Sequence, residues 1–302
     1  MIDYLDADVA YLLGLIVARG TFHESEGVYR LIIEFPYSSL QLEGADTRYD
    51  QEKEIKVGLV EIQKRLYELL ACDIEVHTVS QESIALVARF FRRSMAWRNL
   101  KMILEERTNY PEFVVPSVLM DSAVPNDYKR EFLRGFGDVA GNIRRSNRYI
   151  DGRHRVRLDI LNYPNNWTLP IQLCTLLQEH LSIPVQMIAW GHPNLGRNLR
   201  EHQVNLFAQN YLAIGFTFKH KQALLEELAH INQQDFPNAP NHYCPGVRKT
   251  RQTKPSVPSE NEPRLPETIR GKHFDSYWQI CQALGCDRYL RVQQVTDEEV
   301  EE

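Results

Sequence analysis

The first strong pattern along the chain is an apolar stretch with no polar side. Val9, Tyr11, Leu12, Leu13, Leu15, Ile16 and Val17 would surround a helix nearly all the way round, which predicts a helix buried within the fold. Asp6 or Asp8 offers an N-cap, and Gly20 ends the helix after Ala18. Gly14, in its middle, costs about 1 kcal/mol of helix propensity relative to alanine. That cost makes sense where another backbone must come close. A second helix is expected from near Asn126, after Pro125, with Gly135 in the matching place and Gly141 past its end.

After each of these helices the period changes to two. Residues 28–35 and 153–160 alternate as strands, the latter after a hairpin turn at Asp151-Gly152. A helix follows in each half (55–70, 167–181), then two strand-like segments (74–79 and 83–88; 185–190 and 203–207) and a closing helix (90–105, 219–231). The chain therefore reads as an α+β protein made of one αββαββα unit used twice. The expected division is 1–110 for the first half and 111–231 for the second. Gly14 and Gly135 lie 121 positions apart, whereas Ile74 and Ile183 lie 109 apart. The first half thus carries extra residues, expected in an exposed polar loop at 37–54. Residues 232–272 hold seven of the fifteen prolines and read as a linker. The segment 273–302 reads as a short aromatic helix ending at Gly285, followed by an acidic tail.

The two glycine-bearing stretches, Leu12-Leu13-Gly14-Leu15-Ile16-Val17-Ala18-Arg19-Gly20 and Leu133-Arg134-Gly135-Phe136-Gly137-Asp138-Val139-Ala140-Gly141, resemble the signature of the LAGLIDADG homing endonucleases. The approach Val115-Pro116 through Phe136 and the segment Ile214-Gly215-Phe216 followed by Lys219-His220-Lys221 are similar to other parts of that family's domain. The resemblance spans residues 6 to about 231. It implies signature helices paired at the centre through Gly14, Ala18, Gly135 and Val139, with two sheets straddling a DNA duplex. It also implies a carboxylate at the eighth signature position, holding a divalent metal that activates water. Here those positions are Arg19 and Ala140. Arginine sets a fixed cation where a metal would sit, and alanine offers no ligand. Asp138 is the nearest remaining acid but holds the sixth position; Glu24 is the other displaced candidate.

Charge enters through its local clustering. The 35 basic and 40 acidic residues leave a net charge of −5, which does not announce a nucleic-acid binder. Six arginines (Arg144, Arg145, Arg148, Arg153, Arg155 and Arg157) nevertheless fall within residues 142–158, opposed there only by Asp151. Period two sends Arg153, Arg155 and Arg157 to one face of a ribbon suited to phosphates and guanine edges. The first hairpin is mixed, with His23, Glu24, Glu26, Arg30 and Glu34. Arg92, Arg93, Arg98 and Lys101 form a second basic patch, and Arg248, Lys249, Arg251 and Lys254 a third in the linker. Arg19 reads either as a phosphate clamp or as a partner of Asp138 and the helix-end carbonyls.

Five cysteines, odd in number and without a CxxC, suit reduced thiols. His242, Cys244, His273, Cys281 and Cys286 match no compact zinc module, so no metal site is expected among them. The start of the chain lacks a secretory layout, and the longest apolar run is too short for a bilayer. The expectation is an intracellular monomer, cytoplasmic or in a nucleoid or organelle, without membrane contact. The leading function is DNA binding without cleavage and without cofactor, Arg153, Arg155 and Arg157 being the principal contacts. The alternatives are a divergent endonuclease using magnesium, or an RNA maturase or assembly factor that meets RNA or a protein partner through 273–290.

Overall fold

A computed structural model describes residues 5–25, 27–42, 51–148, 152–161, 168–194, 199–237 and 291–294. Helix α1 (Ala7–Arg19) starts at Asp6, whose Oδ1 accepts the Val9 N–H at 2.8 Å. Strands β1 (Gly20–Ser25) and β2 (Val28–Pro36) follow, then a single turn α2 (Tyr37–Leu40), helix α3 (Gln51–Leu70), strands β3 (Ile74–Ser80) and β4 (Ser83–Phe90), and helix α4 (Met95–Ile103). The second half repeats the order. It comprises α5 (Asn126–Ala140), β5 (Gly141–Arg148), β6 (His154–Ile160), α6 (Thr168–Thr175) running into a π-turn at Leu176–His180, β7 (Met187–Asn194), β8 (Leu199–Phe207), the short α7 (Ala208–Tyr211) and α8 (Lys219–Asp235).

Each half builds an antiparallel sheet of the same topology, β1-β2-β4-β3 and β5-β6-β8-β7. The registers put like with like on the core face. Leu31 opposes Ala88 and Ile33 opposes Leu86 in the first sheet; Val156 opposes Leu206 and Leu158 opposes Val204 in the second. Ala71, just past α3, and Ser182, after the π-turn, both adopt a left-handed backbone, so the two halves also share a turn that few non-glycine residues make. One continuous apolar core runs from α1 through both sheets. The duplicated α+β architecture expected from the pattern is therefore present.

Four elements depart from the pattern. Tyr37–Leu40, read as the start of an exposed loop, is a helical turn with Ser39 and Leu40 buried. The Ser39 hydroxyl donates to Val139 O at 2.8 Å, and His220 Nε2 meets Leu40 O at 2.7 Å, so this turn pins the first half onto α5 and α8. Helix α8 continues past Ile231 to Asp235. A ninth strand, β9 (Arg291–Gln294), lies parallel to β7 where the tail carried no strand signal. Strand β7 also runs on through Gly191–Asn194. The aromatic helix expected at 273–285, the linker's basic patch, the acidic end and the histidine–cysteine string all lie outside the described residues. No helix among the described residues is long and apolar enough to cross a membrane.

Candidate nucleic-acid interface and the paired helix tips

Helices α1 and α5 touch backbone to backbone. A Cβ placed on Gly14 would lie 2.0 Å from Phe132 O and 2.7 Å from Phe136 N, and one on Gly135 would lie 2.2 Å from Tyr11 O. Only hydrogen fits at either position. Val139 is buried in the core and Ala18 packs partly buried against it. Arg65 of α3 ties the pair together at one end, donating to Asp8 at 2.7 Å and to Glu131 at 3.0 Å. The closing glycines act otherwise than expected. Gly20 and Gly141 have extended backbones rather than the left-handed conformation of a glycine cap. They are required by crowding, since a Cβ on Gly20 would fall 2.7 Å from Ile16 O and one on Gly141 2.4 Å from Gly137 O. Each chain folds straight back over its own last turn into a strand.

At the tips of this pair, Arg19 is 7% exposed and Ala140 is buried. The last carbonyls of α5 are met by Lys221 of α8. Its Nζ donates to Gly137 O at 3.2 Å, Asp138 O at 3.3 Å and Gly141 O at 2.9 Å, and lies 4.3 Å from the Phe216 ring centroid. A helix C-terminus carries partial negative charge, and a buried ammonium satisfies it here. Burial lowers the Lys221 pKa to about 8 against the pull of Asp138 and Asp159.

Asp138, the candidate residual acid, belongs to the interior. Its Oδ2 accepts the Tyr11 hydroxyl at 2.7 Å and its Oδ1 accepts the Thr217 N–H at 2.9 Å. Burial raises its pKa, opposed by Lys221 and by those two donors. It links α1, α5 and the start of α8 rather than facing solvent. Glu24 is elsewhere, at the end of β1, where Lys101 donates to it at 2.9 Å. The tips therefore do not fit a divalent ion: two cationic side chains and an alanine stand where hard oxygen donors are needed. Among the described residues, no group of three or more histidines, cysteines, aspartates and glutamates could hold a metal.

The arginine hairpin forms, but its charges are largely committed. Arg145 makes a two-pronged pair with Glu227 of α8 at 2.5 and 2.7 Å. Arg157 donates to both oxygens of Asp159, at 2.6 and 3.1 Å. Arg153, expected on an open face with Arg155 and Arg157, precedes β6, is 3% exposed and stacks 3.8 Å over the Phe207 ring. The open row of three is thus corrected. Arg155 and Arg157 share their half-buried face with Asp159, and their β8 neighbours Gln203 and Asn205 are buried amides. Arg144 donates to Ser38 O at 3.1 Å, and Arg148, exposed at the hairpin's far end, donates to Arg145 O. Alternation along the chain separated Arg155 and Arg157 from the buried Val156, Leu158 and Ile160, but it misplaced Arg153. It carried no sign of Glu227 or Phe207, which arrive from distant elements.

In the first hairpin His23, Glu24 and Arg30 are exposed and Glu34 is half-buried, while Glu26 lies outside the described residues. On the neighbouring strands Glu75 accepts from Arg89 at 2.9 Å and lies 2.7 Å from His77. Sequence reasoning missed Lys221, although a signal was available. It stands three, four and seven positions before Leu224, Leu225 and Leu228, on the stripe that α8 buries.

No family model and no curated protein matches the chain by sequence. Among solved structures it is similar to mesophilic variants of the homing endonuclease I-DmoI, with a TM-score of 0.45 and 16% identity over 73% of this chain and 97% of that one. It is also similar to full-length DUF199/WhiA from Thermatoga maritima, with a TM-score of 0.44 and 12% identity over 81% of this chain and 63% of that one. For I-DmoI in complex with DNA and Mn the TM-score is 0.40 and the identity 13%, over 69% of this chain and 95% of that one.

Proposed function

We propose that this chain binds double-stranded DNA on a LAGLIDADG-type scaffold and does not cut it. The observation that carries the second half of this reading is Lys221. Its buried ammonium sits on the Gly137, Asp138 and Gly141 carbonyls where α5 passes into β5, and neither it nor the Ala140 methyl offers an oxygen ligand to a divalent ion, which supports a scaffold without the metal chemistry. Arg19 at the end of α1 supports the same reading. The paired helices and duplicated sheets support the first half, and Arg148 at the tip of the second hairpin is the exposed cation best placed to meet phosphate there. RNA or a protein partner is the outcome to expect if duplex DNA fails.

The test is affinity for duplex DNA measured against salt. Binding should weaken steeply with salt, and Arg148→Ala should reduce the slope by about 0.9, one phosphate contact. Arg157→Ala should instead cost stability, because it leaves Asp159 half-buried without its partner. Binding that is absent, or indifferent to salt, would refute the DNA reading.

A further inference from the structure

The first half holds a cavity of about 590 Å³ at the outer end of its sheet, between the β1–β2 hairpin and helix α4. The chain leaves β4 at Phe90 and turns at once, the Ser94 N–H donating to Phe91 O at 2.9 Å. That turn presents Arg92 and Arg93 side by side. Ser94 then caps α4, and the helix carries Arg98 and Lys101 along the same wall. Lys101 is held between Glu24 at 2.9 Å and Glu106 at 3.3 Å. Four cations thus surround the space against two carboxylates, both of them spent on Lys101. The side chains of Arg92, Arg93 and Arg98 are exposed and make no ion pair or hydrogen bond among the described residues. Trp97 and Tyr29, packed 5.1 Å apart, form a rigid apolar floor beneath them.

On a chain of net charge −5, three unspent guanidinium groups around one recess are a site for a ligand with several negative charges. Guanidinium groups match phosphate oxygens in geometry. Phe91, on the same turn, is 85% exposed; an aromatic face beside clustered arginines suits a nucleic-acid strand better than bare phosphate. We infer that this cavity is a phosphate site that takes successive backbone phosphates of a nucleic-acid strand, giving the first half the grip its mixed sheet face lacks. The inference rests on the nucleic-acid reading above.

The experiment compares the full chain with the Arg92→Ala/Arg93→Ala/Arg98→Ala variant, on duplex DNA carrying a single-stranded overhang across a salt series, and on tripolyphosphate by calorimetry. The variant should keep its thermal midpoint and lose about 2–3 from the salt slope, and Phe91→Ala should weaken binding to the overhang about tenfold. DNA binding with the same slope in the variant would overturn the cavity assignment and leave the DNA reading in place. If the full chain binds no nucleic acid but takes tripolyphosphate only with its arginines intact, the cavity serves a soluble phosphorylated ligand and the strand assignment falls. Binding of neither probe would overturn the phosphate site itself.

Discussion

Replacing Gly14 with alanine is the sharpest test of how the helices meet. On an exposed helix this change would stabilise by about 1 kcal/mol through propensity alone. Here the added carbon would sit 2.0 Å from Phe132 O and 2.9 Å from Phe132 C, whereas apolar contacts lie at about 3.5–4.0 Å. The obstruction is backbone, so no rotamer change relieves it and α1 and α5 must part by roughly an ångström. Overpacking of this kind costs about 1–3 kcal/mol and occasionally more. Because backbone is in the way, the upper end or beyond applies, for a net loss of about 2 kcal/mol or more after the propensity gain. For a body of this size that lowers the thermal midpoint by about 5–10 °C. Gly135→Ala, whose carbon would meet Tyr11 O at 2.2 Å, should behave alike. The double variant should cost less than the sum by at least about 0.5 kcal/mol, since the first substitution has already opened the seam. The assay is denaturant and thermal unfolding of the three variants with the m-value checked. A midpoint raised or unchanged in Gly14→Ala would refute the backbone contact.

Lys221→Met should destabilise by about 3–5 kcal/mol, because it leaves the buried Asp138 carboxylate and three carbonyls without their cation. Adding Asp138→Asn should recover part of that loss in chemical denaturation, and a double variant no more stable than the single would contradict the coupling. Acid should weaken the fold through His202, whose pKa burial lowers to about 3. The unfolded chain then binds the proton that the folded one refuses, so the contribution is whole above about pH 6.5 and shrinks as pH falls toward 3. About 2 kcal/mol should be gone by pH 5, measured as the difference in unfolding free energy from pH 7.5. His202→Gln should shrink that difference, and an equal loss in the variant would assign it to other groups.

The chain announced its fold more openly than its site, for a physical reason. Gly14 and Gly135 are legible because a glycine inside an apolar helix is costly unless something presses on it, and the same logic located both hairpins and the repeated helices. Period two likewise separated Val156, Leu158 and Ile160 from Arg155 and Arg157. The site depends on who meets whom across long sequence separations. Nothing near Arg145 in the sequence points to Glu227, and nothing near Ala140 points to Lys221. The turn at Tyr37–Leu40 was hidden because four residues carry no period, and its burial comes from α5 and α8 rather than from its own composition. Arg92, Arg93, Arg98 and Lys101 were visible as a patch; the recess beneath them was not, since Tyr29 and Glu24 reach it from strands β2 and β1, far away along the chain.

Incubation of the protein with supercoiled plasmid, in magnesium or manganese and at concentrations that retard the plasmid fully on a gel, bears most directly on the account. Retarded plasmid that returns to its supercoiled position after the protein is stripped away is the predicted result. Nicked or linear plasmid that appears only with the metal, and is lost in the Asp138→Asn variant, would mean that the ends of α1 and α5 still serve a nuclease.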